Sequence, residues 1–354
     1  LSKAEEQLSR LDLATDNATA RPLDWETLAA EVLEGDLLVS MLPATMHMQV
    51  ANICLDKKAH FLSSSYVSSE MLSLHEAAQG SGLCFVNESG LDPGIDHWMA
   101  HALMAEYQAS EHCDTANEHY FRSYCGGLSK EMNDFRYKFS WSPLGVLRAL
   151  TNQSQWIAGG ETKTANRPWH ALQKQNVRLP GGHTETFESY PNRDSIPYLT
   201  EYGFGEDWNV QEFVRGTLRY DGWASAWDDI FQLVDGTQGD ERDAVLAAKS
   251  DELWAQHRLA EGEADRVVLM VELDVRRDNR PIWHQVYSLD ESGNGLGSAM
   301  ARLVSLPASI AVESVVEGKI PPGVSGAPHD ATLVADWLGQ LAQLGERAEK
   351  IVVV

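Results

Sequence analysis

Ser89-Gly90-Leu91-Asp92-Pro93-Gly94-Ile95-Asp96-His97 follows an apolar run over 83–86 and opens a helical run over 98–108. A strand that breaks at a Gly/Pro turn into a helix marks the place where α/β sheets bind ligands, beyond the carboxyl ends of their strands. Asp92 stands in that turn, so the stretch predicts an active site as well as a fold. Working backwards, extended segments are expected at 36–42, 60–64 and 83–87. Helices are expected at 4–11, 23–33 (Asp24 as N-cap), 44–57 and 69–79. Strands recurring with helices between them are the βαβ pattern of a parallel sheet. Right-handed crossovers then bring the turns after Leu42, Ser64 and Asn87 to one edge, which forms a cleft.

Working forwards, the pattern changes. Past His119 the chain is rich in Trp, Tyr, Gly and Pro. Strands are expected at 119–124, 213–220 and 267–275, paired mainly antiparallel in a separate α+β domain. An acidic, helix-prone stretch covers 236–258. Glycines at 293–297 read as a hinge before a helix over 299–316, which should end at Gly318 and Pro321-Pro322.

The chain has 354 residues, enough for two cores. Its 28 basic and 52 acidic residues give a net charge of −24, which argues against a phosphate-backbone partner. Cys54, Cys84, Cys113 and Cys125 form no Cys-x-x-Cys pair and fit a reducing, cytoplasmic setting. No uninterrupted apolar stretch reads as long enough to span a bilayer, and no membrane partner is expected. Because the first residue is Leu1, the chain is expected to be a fragment or a processed form.

A parallel sheet with a ligand edge points to a dinucleotide, whose usual fingerprint is Gly-x-Gly-x-x-Gly after the first strand. That fingerprint is missing, and the glycines at 293–297 have the wrong spacing. His97 and His101, at i and i+4, with Glu106, His112, Cys113 and His119 following, form no regular ligand set, so no metal is expected.

Several further segments carry a resemblance. They are Asp36-Leu-Leu-Val-Ser-Met-Leu-Pro43, Ser64-Ser-Tyr-Val-Ser68, Gly90-Leu-Asp-Pro-Gly-Ile-Asp-His97 and Ser123-Tyr-Cys-Gly-Gly127. After these come Tyr137-Lys-Phe-Ser-Trp-Ser142, Tyr190-Pro-Asn-Arg-Asp-Ser195, Arg215-Gly-Thr-Leu-Arg-Tyr220 and Ser298-Ala-Met-Ala301. In this order, over nearly the whole chain, they resemble the saccharopine dehydrogenase (saccharopine reductase) family of the glutamate-forming type. The resemblance implies an α/β fold: a Rossmann-like parallel-sheet domain without its first βαβ unit, plus an α+β substrate domain with a mainly antiparallel sheet. The implied domains are a partial dinucleotide domain at 1–97, completed by a helix at 298–320, a substrate-binding catalytic domain at 98–297, and a tail with a helix at 321–354. The missing strand and glycine loop would precede Leu1, so activity is expected of the parent protein and not of this fragment.

Family members oxidise the secondary amine of saccharopine with NADP or NAD, yielding glutamate and 2-aminoadipate 6-semialdehyde in lysine metabolism, and a homodimer is expected. The chemistry needs a base for the amine proton and cations for the carboxylates, which a guanidinium fork suits. By resemblance, Ser65, Tyr66, Asp92, Arg193, Thr217, Leu218 and Arg219 bind substrate. Ser40, Leu42, Pro43, Ser64, Ser65, Leu91, Asp92, Trp141 and Ser142 lie along the cofactor. Asp92 is the expected base, with Tyr66 and Cys125 as other proton-transfer candidates. Asp92 read alone is equally an N-cap of the helix after Pro93, and Arg193 and Arg219 read alone are surface ion pairs. Leu144 stands where fungal members carry arginine. Two alternatives share the fold: a carboxynorspermidine synthase-like reductase, whose cationic substrates would want carboxylates in place of arginines, and a nucleotide-binding protein without turnover.

Overall fold

The computed structural model describes residues 2–10 and 18–354. The chain divides into two compact units, a smaller one of Leu1–Leu62, Ser68–Phe85 and Ile320–Val324 and a larger one of Ser63–Val67, Val86–Lys319 and Ser325–Val354. The first strands in chain order are β1 (Leu37–Ser40), β2 (His60–Ser63), β3 (Cys84–Val86), β4 (Glu118–Ser129), β5 (Ser154–Ala158), β6 (Glu161–Ala165) and β7 (Gln173–Arg178). They are followed by β8 (Thr184–Pro191), β9 (Val210–Tyr220), β10 (Asp265–Arg277), β11 (Arg280–Ser292), β12 (Gly323–Ser325) and β13 (Glu349–Val352).

The smaller unit is built on the parallel sheet β1-β2-β3-β12. Helix His47–Lys57 joins β1 to β2, and the short helices Ser69–Leu72 and His75–Gly80 join β2 to β3. Buried Val50, Ala51 and Cys54 on the first helix face a core that includes Phe61 and Phe85, ring centroids 5.8 Å apart. The expected helix 44–57 begins instead as a 3-10 turn, Ala44–Met46, behind Pro43. The expected helix 69–79 breaks at Ser73 and Leu74. Helix Trp25–Glu31 starts at Asp24, whose carboxylate accepts the Thr27 N–H at 2.8 Å. The first helix runs Ser2–Arg10, and Leu11 lies outside the described residues.

The larger unit holds a nine-stranded sheet in the order β13-β11-β10-β4-β9-β5-β6, with β8 pairing both β9 and β7. It is mainly antiparallel, as expected, with β4 and β9 running parallel. Strand β11 was not expected from the sequence. It follows β10 through Asp278 and Asn279, both at positive φ (52° and 60°), the conformation of a tight hairpin turn. Side chains alternate along β9. Val214, Leu218 and Tyr220 enter an apolar core with Tyr124, Leu128, Phe187, Val268 and Met270. Arg215, Thr217 and Arg219 share the opposite face, on which Tyr190, Trp223 and Trp227 belong to a second, aromatic core.

Helix Ala299–Val316 is N-capped by Ser298, and the Asp265 carboxylate accepts the Ala299 and Met300 N–H groups at 2.7 and 2.8 Å. The sequence reading assigned 298–320 to the nucleotide domain, but this helix falls within the larger unit, and only the following Ile320–Val324 counts with the smaller one. By length and composition this helix, alone among the described residues, could cross a bilayer, contrary to the expectation that no stretch would qualify. Half of it is buried, however, and Arg302 on it pairs with Glu346, so it reads as a core helix.

Candidate active site

The turn between Ser89 and His97 is shaped by its glycines. Gly94 sits at φ 148°, in the region that side chains disfavour, and a Cβ there would collide with the Gly90 backbone. The chain closes on itself through Ile95 N–H to Gly90 O at 2.9 Å and then enters helix Ile95–Gln108. The Asp92–Pro93 peptide is cis. Asp96, not Asp92, holds the helix start: its Oδ1 accepts the Gly94 N–H at 2.7 Å. Asp92 is thereby released from capping.

Its carboxylate turns instead to a buried cluster. Tyr66 Oη donates to Asp92 Oδ1 at 2.9 Å, and Arg215 donates to the same oxygen at 3.0 Å. Arg215 also pairs with Asp96 Oδ2 at 2.5 Å and lies 3.9 Å over the Tyr198 ring. Among the described residues, Asp92 Oδ2 takes none of these bonds. The Asp96 side chain is fully buried and that of Asp92 is 20 % exposed, so the second carboxylate alone keeps a path outward. Burial raises the Asp92 carboxyl above its ordinary range and Asp96 adds to this, while Arg215 and the Tyr66 hydrogen bond oppose it. Burial pushes the Tyr66 phenol well up. Burial also works against the charge of Arg215, but its tyrosine and carboxylate neighbours hold the guanidinium well above its ordinary value. The arrangement is one fixed cation, one structural carboxylate and one carboxylate poised to exchange a proton.

A cavity of about 340 Å³ opens here, lined by Tyr66, Asp92, Arg193, Tyr198, Arg215 and Gly216 among others. A Cβ on Gly216 would lie 2.6 Å from the Tyr190 carbonyl oxygen, so only glycine fits beside Arg215. Arg193 is exposed, at φ 63°, with its guanidinium 5.0 Å over the Tyr66 ring. The expected pairing of Arg193 with Arg219 in one cavity is not what the structure has. Arg219 is buried among Tyr137, Tyr190 and Trp223, 5.0 to 5.6 Å from their ring centroids, and is not among the residues lining this cavity. Among the described residues it forms no ion pair. Its cross-strand neighbour Glu188 gives both oxygens to the Gly222 and Ala224 N–H groups.

Cys125 on β4 stands opposite Thr217 on β9, on the face that carries both arginines. Burial raises its thiol well above the usual range, so it is a neutral group and not a ready base. Leu218 points to the other face, into the apolar core, because strand alternation puts it there; its expected substrate contact is corrected. Gly90 packs against Ser64, Ser65 O accepts the Glu88 N–H, and Leu91 is buried beneath the turn. Trp141 is 46 % exposed beside Gly145, and Ser142 precedes helix Pro143–Leu150 without a capping bond; neither lines the cavity. Arg215, Asp96 and Tyr198 were not named from the sequence. The alternation that places Thr217 and Arg219 on one face of β9 includes Arg215, and that was the available signal.

In the smaller unit, Ser40 is buried with its Oγ 2.9 Å from His47 Nδ1, and Leu42 and the exposed Pro43 follow β1. Val39 and Met41 are 44 % and 55 % exposed at the same strand end. Apolar side chains left open beside a parallel strand's carboxyl end fit a planar heteroaromatic group.

Two family models match the chain: the saccharopine dehydrogenase NADP binding domain over residues 2–86 and the saccharopine dehydrogenase C-terminal domain over 90–346. The NADP(+), L-glutamate-forming saccharopine dehydrogenase of Pyricularia oryzae is 31 % identical, over 89 % of this chain and 84 % of that protein. The chain belongs to the saccharopine dehydrogenase family. As a member it is an oxidoreductase-type enzyme whose cofactor is NADP or NAD. The α-aminoadipic semialdehyde synthase of Arabidopsis thaliana is 36 % identical over 59 % of this chain, and the match spans 20 % of that longer protein. Among solved structures, the apo L-Glu-forming saccharopine dehydrogenase of Saccharomyces cerevisiae superposes with a TM-score of 0.76 at 24 % identity, covering 95 % of this chain and 90 % of that one. That likeness speaks for the fold.

Proposed function

We propose that the protein carrying this chain oxidises the secondary amine of saccharopine with NADP or NAD, giving glutamate and 2-aminoadipate 6-semialdehyde. The reading is carried by one observation: the cavity that joins the partly exposed Asp92 to the Arg193 and Arg215 guanidinium groups. A bound dinucleotide would supply the acceptor for the hydrogen and electron pair of the carbon beside the amine nitrogen. Asp92 accepts the amine proton on its open oxygen and releases it to solvent. Ionised again, it takes a proton from the water that adds to the resulting imine and returns it to the nitrogen as the carbon–nitrogen bond of the adduct breaks, while the hydroxyl proton leaves and the carbon becomes the aldehyde. Tyr66 orients the carboxylate through Oδ1, and Arg215 keeps it from becoming a permanently neutral acid. Arg193, at the rim, holds a substrate carboxylate. The residues at the end of β1 (Ser40, Leu42 and Pro43, with exposed Val39 and Met41) would hold the dinucleotide. A cytoplasmic location, which rests on the few cysteines and the lack of a Cys-x-x-Cys pair, and a homodimer, which rests on the resemblance, belong to the same proposal.

The test is reduction of NADP or NAD by the protein with saccharopine as substrate. Arg193→Ala should raise the saccharopine KM about tenfold or more while leaving dinucleotide affinity unchanged, as expected for a lost charge-assisted pair. Turnover of a carboxynorspermidine-type amine in preference to saccharopine, or dinucleotide binding with no turnover of either, would overturn the reading.

A further inference from the structure

Three side chains that play no part in the proposed reaction meet elsewhere in the larger unit. His101 lies on helix Ile95–Gln108, Glu201 ends helix Pro197–Glu201, and His329 lies just ahead of helix Ala331–Gln343. One ligand atom from each lies within 4.8 Å of the others. We propose that His101, Glu201 and His329 form a binding site for a divalent transition-metal ion, with zinc the ion best matched to two imidazole nitrogens and a carboxylate.

The sequence offered no such set, because its members are a hundred or more residues apart. Of the histidines it did bring near one another, two already have a tyrosine beside one ring nitrogen. His97 Nδ1 is 2.9 Å from Tyr202 Oη, and His119 Nε2 is 3.1 Å from Tyr107 Oη. His101 is different. It is only 8 % exposed, and its Nε2 is shut off from solvent with no hydrogen-bond partner among the described residues. A buried imidazole nitrogen without a partner is costly, and a metal ion satisfies it. The ring faces His329, with centroids 4.6 Å apart, and His329 Nε2 is 3.0 Å from Glu201 Oε1.

Donor atoms around a tetrahedral zinc ion lie about 3.3 Å apart, given bonds near 2.0–2.1 Å. The cluster must therefore contract. The side chains that have to move are exposed His329, at 59 %, and half-buried Glu201, at 34 %, whereas His101 is held by the core. Three protein ligands leave a fourth position for water. The net charge of −24 favours cation capture. The ion would tie helix Pro197–Glu201 to helix Ile95–Gln108. The first carries Tyr198 against the Arg215 guanidinium and the second carries Asp96, so the metal would act on the site as a brace. The inference does not depend on which substrate the enzyme takes.

The test is calorimetric titration of chelator-treated protein with Zn²⁺, with Co²⁺ as a spectroscopic stand-in. Expected are one saturable site with Kd on the order of micromolar or tighter, the visible absorption of a four-coordinate cobalt centre, and a Tm that rises with added Zn²⁺. His329→Ala, at an exposed position that spares folding, should weaken Zn²⁺ binding about tenfold or more and abolish the cobalt spectrum. Glu201→Gln should do the same. No saturable binding, or binding and a cobalt spectrum unchanged in His329→Ala, would reduce the cluster to an ion pair beside a buried neutral histidine and overturn the proposal.

Discussion

Arg215 and Arg219 stand four residues apart on one strand, on the same face, and are almost equally buried at 6 % and 7 % exposure. Arg215 is compensated by two carboxylates and a tyrosine. Arg219 has aromatic faces and one backbone carbonyl, Leu218 O, at 2.9 Å. The first guanidinium is therefore part of the protein's own charge network. The second has no carboxylate partner among the described residues, the Nε of each is unpartnered, and Thr217 lies between them on the strand. The contrast shows that a buried arginine is not by itself a ligand-binding arginine: what decides is whether the protein already supplies its anion. On that criterion Arg219 remains a candidate for a substrate carboxylate although it lines no cavity with Asp92.

The sharpest way to break the contrast is to remove each arginine. Arg215→Ala leaves Asp96 buried and unpaired, so denaturant unfolding should show a loss of about 3–5 kcal/mol, and turnover should vanish. Next in size, Asp92→Asn should lower kcat about 100- to 10,000-fold as a lost general base, with the substrate KM little changed. Arg219→Met breaks no internal ion pair. It should cost about 1–2 kcal/mol of stability, mostly cation–π and packing, and raise the saccharopine KM about tenfold with kcat largely retained. Stability losses of similar size in Arg215→Ala and Arg219→Met would collapse the distinction.

A smaller effect is expected at Glu88, which is buried behind the turn with Oε1 accepting the Val67 N–H. Burial raises its carboxyl to about 7. The folded state then binds a proton that the unfolded chain releases near 4.5. Its stabilising contribution is full below that unfolded value and is lost as pH rises to about 7. Glu88→Gln keeps the acceptor, so it should raise Tm at pH 8 by a few degrees, roughly 1–2 kcal/mol, and change little at pH 4.

Much of this was legible beforehand. The βαβ spacing before Asn87 gives the parallel sheet, and a strand broken at Gly90 and Pro93 gives the position of Asp92. Tyr66 stands at the end of β2 for the same reason. Arg215 was equally legible, because strand alternation puts it on the same face of β9 as Arg219 in the same segment. Asp96 looked like an ordinary helical residue, because only the tertiary fold brings β9 to the start of helix Ile95–Gln108. Leu218 lies within the same motif as Thr217 and Arg219 but turns its side chain into the apolar core, because successive strand residues face opposite ways. His101, Glu201 and His329 were beyond reach for a related reason: no local period links residues so far apart.

The central claim is that Asp92, raised by burial and by Asp96, is the group that exchanges the substrate proton. The pH dependence of kcat/KM for saccharopine oxidation, in the wild type and in Asp92→Asn, tests it most directly. The base must be ionised, so the wild-type rate should fall as pH drops through a midpoint above the ordinary 3.8 of an aspartate. In Asp92→Asn the residual rate should lose that acidic limb. An acidic limb that persists unchanged in Asp92→Asn would contradict the account.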